Sequence, residues 1–156
     1  MAAHRSLAAM KEIYDPKHYQ PATSVGYLLN RARTELLTAI DRELEPIGVT
    51  AAQYAIMAHV AHQLADSPAG LCKGIAYDPG AMTRMIDRLE AKKLIRRVRS
   101  QEDRRAINLE LTDEGKSIMP KMRNQVVGVI NRFLRGFTQS EARQFESFLQ
   151  RVIANA

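Results

Sequence analysis

Between positions 84 and 105 stand nine Lys or Arg side chains against four Asp or Glu, so this stretch carries +5 of the chain's formal +6. Cations gathered on one segment are the footprint of a polyanionic partner with repeated phosphates. At the head of the stretch, Thr83, Arg84 and Arg88 put a hydroxyl and two guanidinium groups at helical spacing. Such groups can meet base edges or nearby phosphates. An arginine pairing bidentately with guanine contributes roughly 1–3 kcal/mol of discrimination against the wrong base.

Other residue types invite other chemistry. His59-x-x-His62 would place two imidazoles on one helix face, a spacing open to a metal, but no cysteine or carboxylate stands at a ligand-signature distance. Cys72, with Lys73 beside it, could in principle be a redox sensor, since a neighbouring cation lowers a thiol pKa. A small buried thiol is the plainer reading. No glycine-rich phosphate loop, nucleophile elbow, zinc-helix motif or spaced acid pair occurs, and Asp113-Glu114 reads as a helix start. Catalytic residues, cofactors and metals are therefore not expected.

The elements that must position the basic stretch are legible from local pattern. Asp78-Pro79 is a helix start: the carboxylate can accept from an orphan amide, and proline fits the first turn. Met82, Met85, Ile86 and Leu89 form an apolar stripe, leaving Ala81, Thr83, Arg84, Asp87 and Arg88 on the opposite face. The period then changes. Residues 95–99 read as a strand, 107–111 alternate strictly between apolar and polar, and the charged 100–105 between them form a hairpin tip. A short helix over 71–77 precedes Asp78, giving two helices joined by a tight turn.

Around this unit lie longer helices. Val25, Leu28, Leu29, Ala32, Leu36, Ile40 and Leu44 keep helical spacing until Pro46 and Gly48 end the run. Thr50 to Gln53 is a capping box opening a helix through Leu64, with Tyr54, Met57, Val60, Ala61 and Leu64 inward and 66–70 a loop. Thr112 caps a long helix with Asp113 and Glu114 in its first turn, interrupted or kinked by Pro120. Thr138 to Glu141 is a second capping box, before an apolar face of Phe145, Phe148, Leu149 and Val152. In residues 1–22, Leu7, Met10, Ile13 and Tyr14 suit an amphipathic turn, cut by Pro16 and Pro21.

The segments Asp78-Pro79-Gly80-Ala81-Met82-Thr83-Arg84, Asp87-Arg88-Leu89-Glu90, Leu94-Ile95, and Asp103-Arg104-Arg105-Ala106 followed by Leu111-Thr112-x-x-Gly115 resemble the recognition helix and wing of the MarR family of winged helix-turn-helix transcription regulators. The likeness is sharpest there and extends more loosely over about residues 25 to 154. It implies a mainly α fold with a small β-ribbon, organised as an N-terminal arm and dimerisation helix (1–48), a winged helix-turn-helix DNA-binding lobe (49–111) and C-terminal dimerisation helices (112–156). The helix from Gly80 and Ala81 would enter the major groove, with Thr83, Arg84 and Arg88 at base edges or phosphates. Arg105 matches the family's minor-groove arginine and Asp103 the carboxylate that holds it, while Arg97, Arg99 and Arg104 would serve the backbone.

The same resemblance implies a homodimer on a palindromic double-stranded operator. It also implies a pocket for a small phenolic or aromatic carboxylate effector. Such a ligand needs a stacking wall and a cationic or imidazole donor, for which Tyr19, Tyr27, Arg31, Tyr54, His59, His62 and Cys72 are the candidates. The expected function is a sequence-specific repressor released by that ligand. The alternatives are a redox-responsive regulator using Cys72 and a non-specific architectural DNA binder. A length of 156 residues and 46% hydrophobic content suit one domain or a lobe with a dimerisation region. A lone cysteine fits a reducing cytoplasm. No apolar run reaches the roughly 20 residues of a membrane span, and the N-terminus has no apolar signal core.

Overall fold

A computed structural model describes residues 12–65, 67–99 and 107–155. In chain order the helices and strands are α1 (Val25–Leu44), α2 (Ala51–Ala61), α3 (Pro68–Ile75), α4 (Pro79–Ala91), β1 (Ile95–Arg99), β2 (Ile107–Leu111), α5 (Asp113–Phe133) and α6 (Gln139–Ala154). The strands form an antiparallel ribbon with Ile95 opposite Leu111, Arg97 opposite Leu109 and Arg99 opposite Ile107. The mainly α fold with a two-stranded ribbon is thus the one expected. None of these helices is long and apolar enough to cross a membrane.

The chain divides into two compact units, one up to Glu35 and one from Leu36 onward. In the first, the Tyr14 hydroxyl accepts a 2.8 Å hydrogen bond from the Val25 amide, supplying an orphan donor at the start of α1 with a partner. Tyr19 packs edge-to-face on Tyr14 at 5.5 Å. The expected amphipathic turn is not formed by its described members: residues 12–20 contain no helix and Ile13 is 89% exposed. Pro16 and the turn at Asp15, whose carboxylate binds the Lys17 amide, take its place.

The second unit is built on one apolar core. Ile40 and Leu44 of α1, Ile56, Met57 and Val60 of α2, Leu71 of α3, Met82, Ile86 and Leu89 of α4, Leu109 and Leu111 of β2, and Met122, Val126 and Val129 of α5 are all buried in it. Each helix start within it is held by a side chain. Thr50 and Gln53 form the expected capping box of α2, and Asp41 of α1 also accepts from the Ala51 amide at 2.6 Å. Thr112 caps α5 through the Gly115 amide. Thr138 and Glu141 cap α6 reciprocally, and the Thr138 amide and hydroxyl hold the Glu141 carboxyl below the ordinary glutamate range.

Two boundaries differ from the sequence reading. Helix α2 ends at Ala61, with Gln63 left-handed (φ 54°), so Leu64 turns outward at 70% exposure instead of joining the core; Ala61 is exposed too, and Ile56 joins Met57 as fully buried. Helix α3 begins at Pro68 rather than at 71. Ser67 accepts from the Gly70 amide and Pro68 occupies the first turn, the same start signal as Asp78-Pro79, misread as loop because Gly70 follows it. Helix α5 continues through Pro120 as one element, so its first two turns are not a separate helix.

Candidate nucleic-acid interface

Helices α3 and α4 are joined by a turn in which Ala76 adopts the left-handed conformation (φ 57°, ψ 49°). The chain can thereby reverse within three residues and start α4 at once. Asp78 accepts from the Ala81 amide at 2.9 Å and fixes that start. With Met82, Ile86 and Leu89 in the core, the geometry of a helix leaves Gly80, Thr83, Arg84, Asp87 and Arg88 exposed on the far side. Ala81 is half-buried. The Thr83 hydroxyl donates to the Pro79 carbonyl at 2.9 Å, so its proton is engaged while its lone pairs and methyl group face outward. That side chain is consequently an acceptor, suited to the amino group of cytosine or adenine, or to a thymine methyl.

The ribbon stands beside this helix and is tied to it by Arg97. Its guanidinium donates to Asp87 at 2.6 Å and to Glu90, both on α4, and the Arg97 amide reaches the same Glu90 carboxylate. The Asp87 hydrogen bond is the main reason the guanidinium is held protonated even more firmly than usual. Arg97 therefore differs from its expected place. Because its cross-strand neighbour is the buried Leu109, its stem lies on the inner face of the ribbon and its charge turns to α4, where two carboxylates neutralise it. Arg99 is exposed, whereas Arg96, on the outer face, pairs with Glu110 at 2.7 Å. Asp103, Arg104 and Arg105 lie outside the described residues.

Arg97 is thus a brace between the two elements that would meet DNA. The group is about a third exposed, so the two ion pairs are worth about 1 kcal/mol after screening. Arg97→Met should leave the far-UV circular dichroism unchanged and speed amide exchange across 95–99 and 107–111 by roughly fivefold. Unaltered exchange would remove the brace.

The candidate effector residues fall in both units, and His62 lines an open cavity between α2, the ribbon and α5. In the first unit, Tyr19, Tyr27 and Arg31 are exposed. In the second, Tyr54 is half-buried, and burial pushes its hydroxyl pKa up against the opposing charge of Arg123. His59 donates through Nδ1–H to the Ala55 carbonyl, 2.9 Å away, and its ring packs where a side chain on Gly74 of α3 would stand. His62 is the C-cap of α2, its amide still bonded to the Ala58 carbonyl, and is exposed where His59 is half-buried. Cys72 is half-buried against the core. Among the described residues no group of three or more His, Cys, Asp or Glu is placed to hold a metal ion.

A model of the MarR family matches residues 47–106. The HTH-type transcriptional repressor MdtR of Bacillus subtilis is 31% identical over 121 residues, covering 78% of this chain and 76% of the relative. The chain belongs to the MarR family. Two solved structures share its fold. A mutant of Escherichia coli MarR complexed with operator DNA superposes with a TM-score of 0.73 at 26% identity, covering 81% of this chain and 91% of that one. Bordetella bronchiseptica BpsR, whose DNA binding is regulated by 6-hydroxynicotinic acid, superposes with a TM-score of 0.76 at 26% identity, covering 88% and 98%.

Within this MarR-family frame the sequence missed two things. The Arg97 brace was hidden because nothing local distinguishes it from Arg96 or Arg99; only the ribbon register does. The Lys92 ammonium was not singled out either. It reaches from the end of α4 to the Gly48 carbonyl and lies 3.5 Å from Gln53, anchoring the recognition unit to the turn between α1 and α2. No short-range signal announces a partner 44 residues away.

Proposed function

We infer that the protein is a sequence-specific transcriptional repressor that binds a palindromic operator as a homodimer in the cytoplasm and is released by a small aromatic acid. The observation that carries this reading is the division of α4, core on one side and Thr83, Arg84 and Arg88 outward on the other, with a basic ribbon braced beside it. A helix so divided can lie in the major groove while the ribbon follows the adjacent backbone. MdtR is described as a repressor, MarR was solved on operator DNA, and BpsR answers to a hydroxylated aromatic acid. Dimerisation is supported by the apolar surface of the second unit, where Ile130 and Phe133 of α5 and Phe145, Phe148 and Val152 of α6 are exposed. Monomeric proteins rarely leave so many large apolar groups to water.

The test is a mobility shift on the DNA upstream of the protein's own gene, repeated with a panel of hydroxylated aromatic acids. Arg84→Ala should keep the dimer folded and relax discrimination at one base pair of each half-site by about 1–3 kcal/mol, read from a set of single-base operator variants. An equal loss on all sequences would instead assign Arg84 to the phosphates. Failure to shift any promoter fragment at low ionic strength would end the DNA-binding reading.

A further inference from the structure

Lys92 closes α4: its amide bonds to the Arg88 carbonyl, and its side chain then leaves the helix. The ammonium donates to the Gly48 carbonyl and lies 3.5 Å from Gln53 Oε1. Gly48 is left-handed (φ 71°, ψ 26°) and ends the short turn Glu45–Ile47 that follows α1, its amide bonded to the Glu45 carbonyl at 2.8 Å. Gln53 is buried, and its Oε1 also accepts from the Thr50 amide at 3.2 Å in the cap of α2. Lys92 pairs with no carboxylate among the described residues. A cation is favoured at this point because the negative ends of the α1 and α4 dipoles both lie beside it.

The same end of α1 is tied to α5. Gln125 Nε2 donates to the Glu43 carbonyl at 3.3 Å, and the Glu43 carboxylate accepts from Arg132 at 2.8 Å. Arg132 stands between Ile130 and Phe133, both exposed on the apolar surface through which two copies would meet. A continuous set of contacts therefore runs from that surface, through residues 43–53, to the end of the recognition helix. Along its length α4 is held by the apolar packing of Met82, Ile86 and Leu89, which is non-directional and resists a small tilt weakly. Arg97 ties α4 to the ribbon, and Lys92 supplies a directed tie to the α1 side.

We propose that Lys92 is a positioning residue for operator recognition: by fixing the tilt of α4 against the close of α1, it sets the half-site spacing that the dimer accepts. The proposal rests on the reading of the protein as a dimeric, sequence-specific DNA binder. In this role Lys92 does not touch DNA; it stands at the end of α4 remote from Gly80, Thr83 and Arg84. Two recognition helices of one dimer must meet half-sites about 10 base pairs apart, so inserting or deleting a base pair moves a half-site by about 3.4 Å. Helix α4 has 13 residues and is about 20 Å long. A tilt of about 10° around its middle displaces the reading end by roughly 1.7 Å, half of that step, and the partner copy supplies the other half.

The experiment measures binding of the full-length protein to its operator and to versions with a base pair inserted or deleted at the centre. Lys92→Met keeps the aliphatic stem and removes the ammonium. The parent protein should prefer its native spacing by about tenfold or more, and the variant by about threefold or less, with the salt slope unchanged. Lys92→Arg, which retains a cationic donor, should keep the parent profile. Lys93→Met, which removes the neighbouring exposed charge, should keep it too. Without DNA, amide exchange at 48–53 and 88–94 should quicken in Lys92→Met by roughly fivefold, while the thermal midpoint stays within about 3 °C. A parent-like spacing profile in Lys92→Met, or a profile flattened equally by Lys93→Met, would overturn the proposal. An equal loss at every spacing with a shallower salt slope would also overturn it, making Lys92 a phosphate contact. A parent protein that shifts no promoter fragment, with the exchange response present, would overturn the repressor reading and leave Lys92 a structural tie only.

Discussion

Gly115→Ala should lower the thermal midpoint by about 6–12 °C, which corresponds to about 3 kcal/mol in a protein of this size. The added Cβ would stand 2.0 Å from the Leu94 carbonyl oxygen and 3.0 Å from its carbonyl carbon. Both are backbone atoms of the turn from α4 into β1, so no rotamer change relieves the overlap. That carbonyl also accepts from the Thr112 amide at 3.1 Å, which fixes its direction. Moving it would disturb the start of α5 and the register of the ribbon together. The matched control is Gly26→Ala, where a Cβ meets nothing within 4 Å and should leave the midpoint level or slightly raised. A Gly115→Ala protein melting with the parent would show that the α4–β1 turn and α5 are not packed as described.

Arg105→Ala should abolish the operator shift at moderate salt, with at least a tenfold loss of affinity measurable at low salt. Arg105 lies outside the described residues, between Arg99 and Ile107, the last described pair of the ribbon, and its role rests on the family resemblance. An arginine delivered there into a narrow minor groove meets its enhanced negative potential. Since a dimer carries two, the slope of log affinity against log salt should become shallower by about 2. Far-UV circular dichroism and the elution volume should match the parent protein. If the affinity and the salt slope both match the parent, the wing takes no part in DNA binding.

The contrast between Arg105 and Arg97 shows where reading a chain by type and spacing runs out. The basic count over 84–105 treats all nine cations alike, yet Arg97 is neutralised by Asp87 and Glu90, and Arg96 is paired with Glu110. The cation concentration was legible; its availability was not. The effector candidates follow the same logic. Residue types suited to an aromatic acid occur at many positions, and spacing alone cannot tell which of them face one cavity. Of the two histidines, His62 lines the cavity between α2, the ribbon and α5, while the His59 ring is engaged by the Ala55 carbonyl.

From the sequence alone came the order of the elements, the caps at Thr50, Asp78, Thr112 and Thr138, and the ribbon limits at 95–99 and 107–111. These rest on interactions within a turn or two of chain, where hydrophobic period and side-chain capping leave few alternatives. Tertiary structure decided what depends on residues far apart in the chain. It set Arg97 against α4, Lys92 against Gly48, and Gly115 against the Leu94 carbonyl, and it opened the cavity between α2, the ribbon and α5. Packing determines which distant groups become neighbours, and a charge or a glycine acquires its role only from the neighbour it is given.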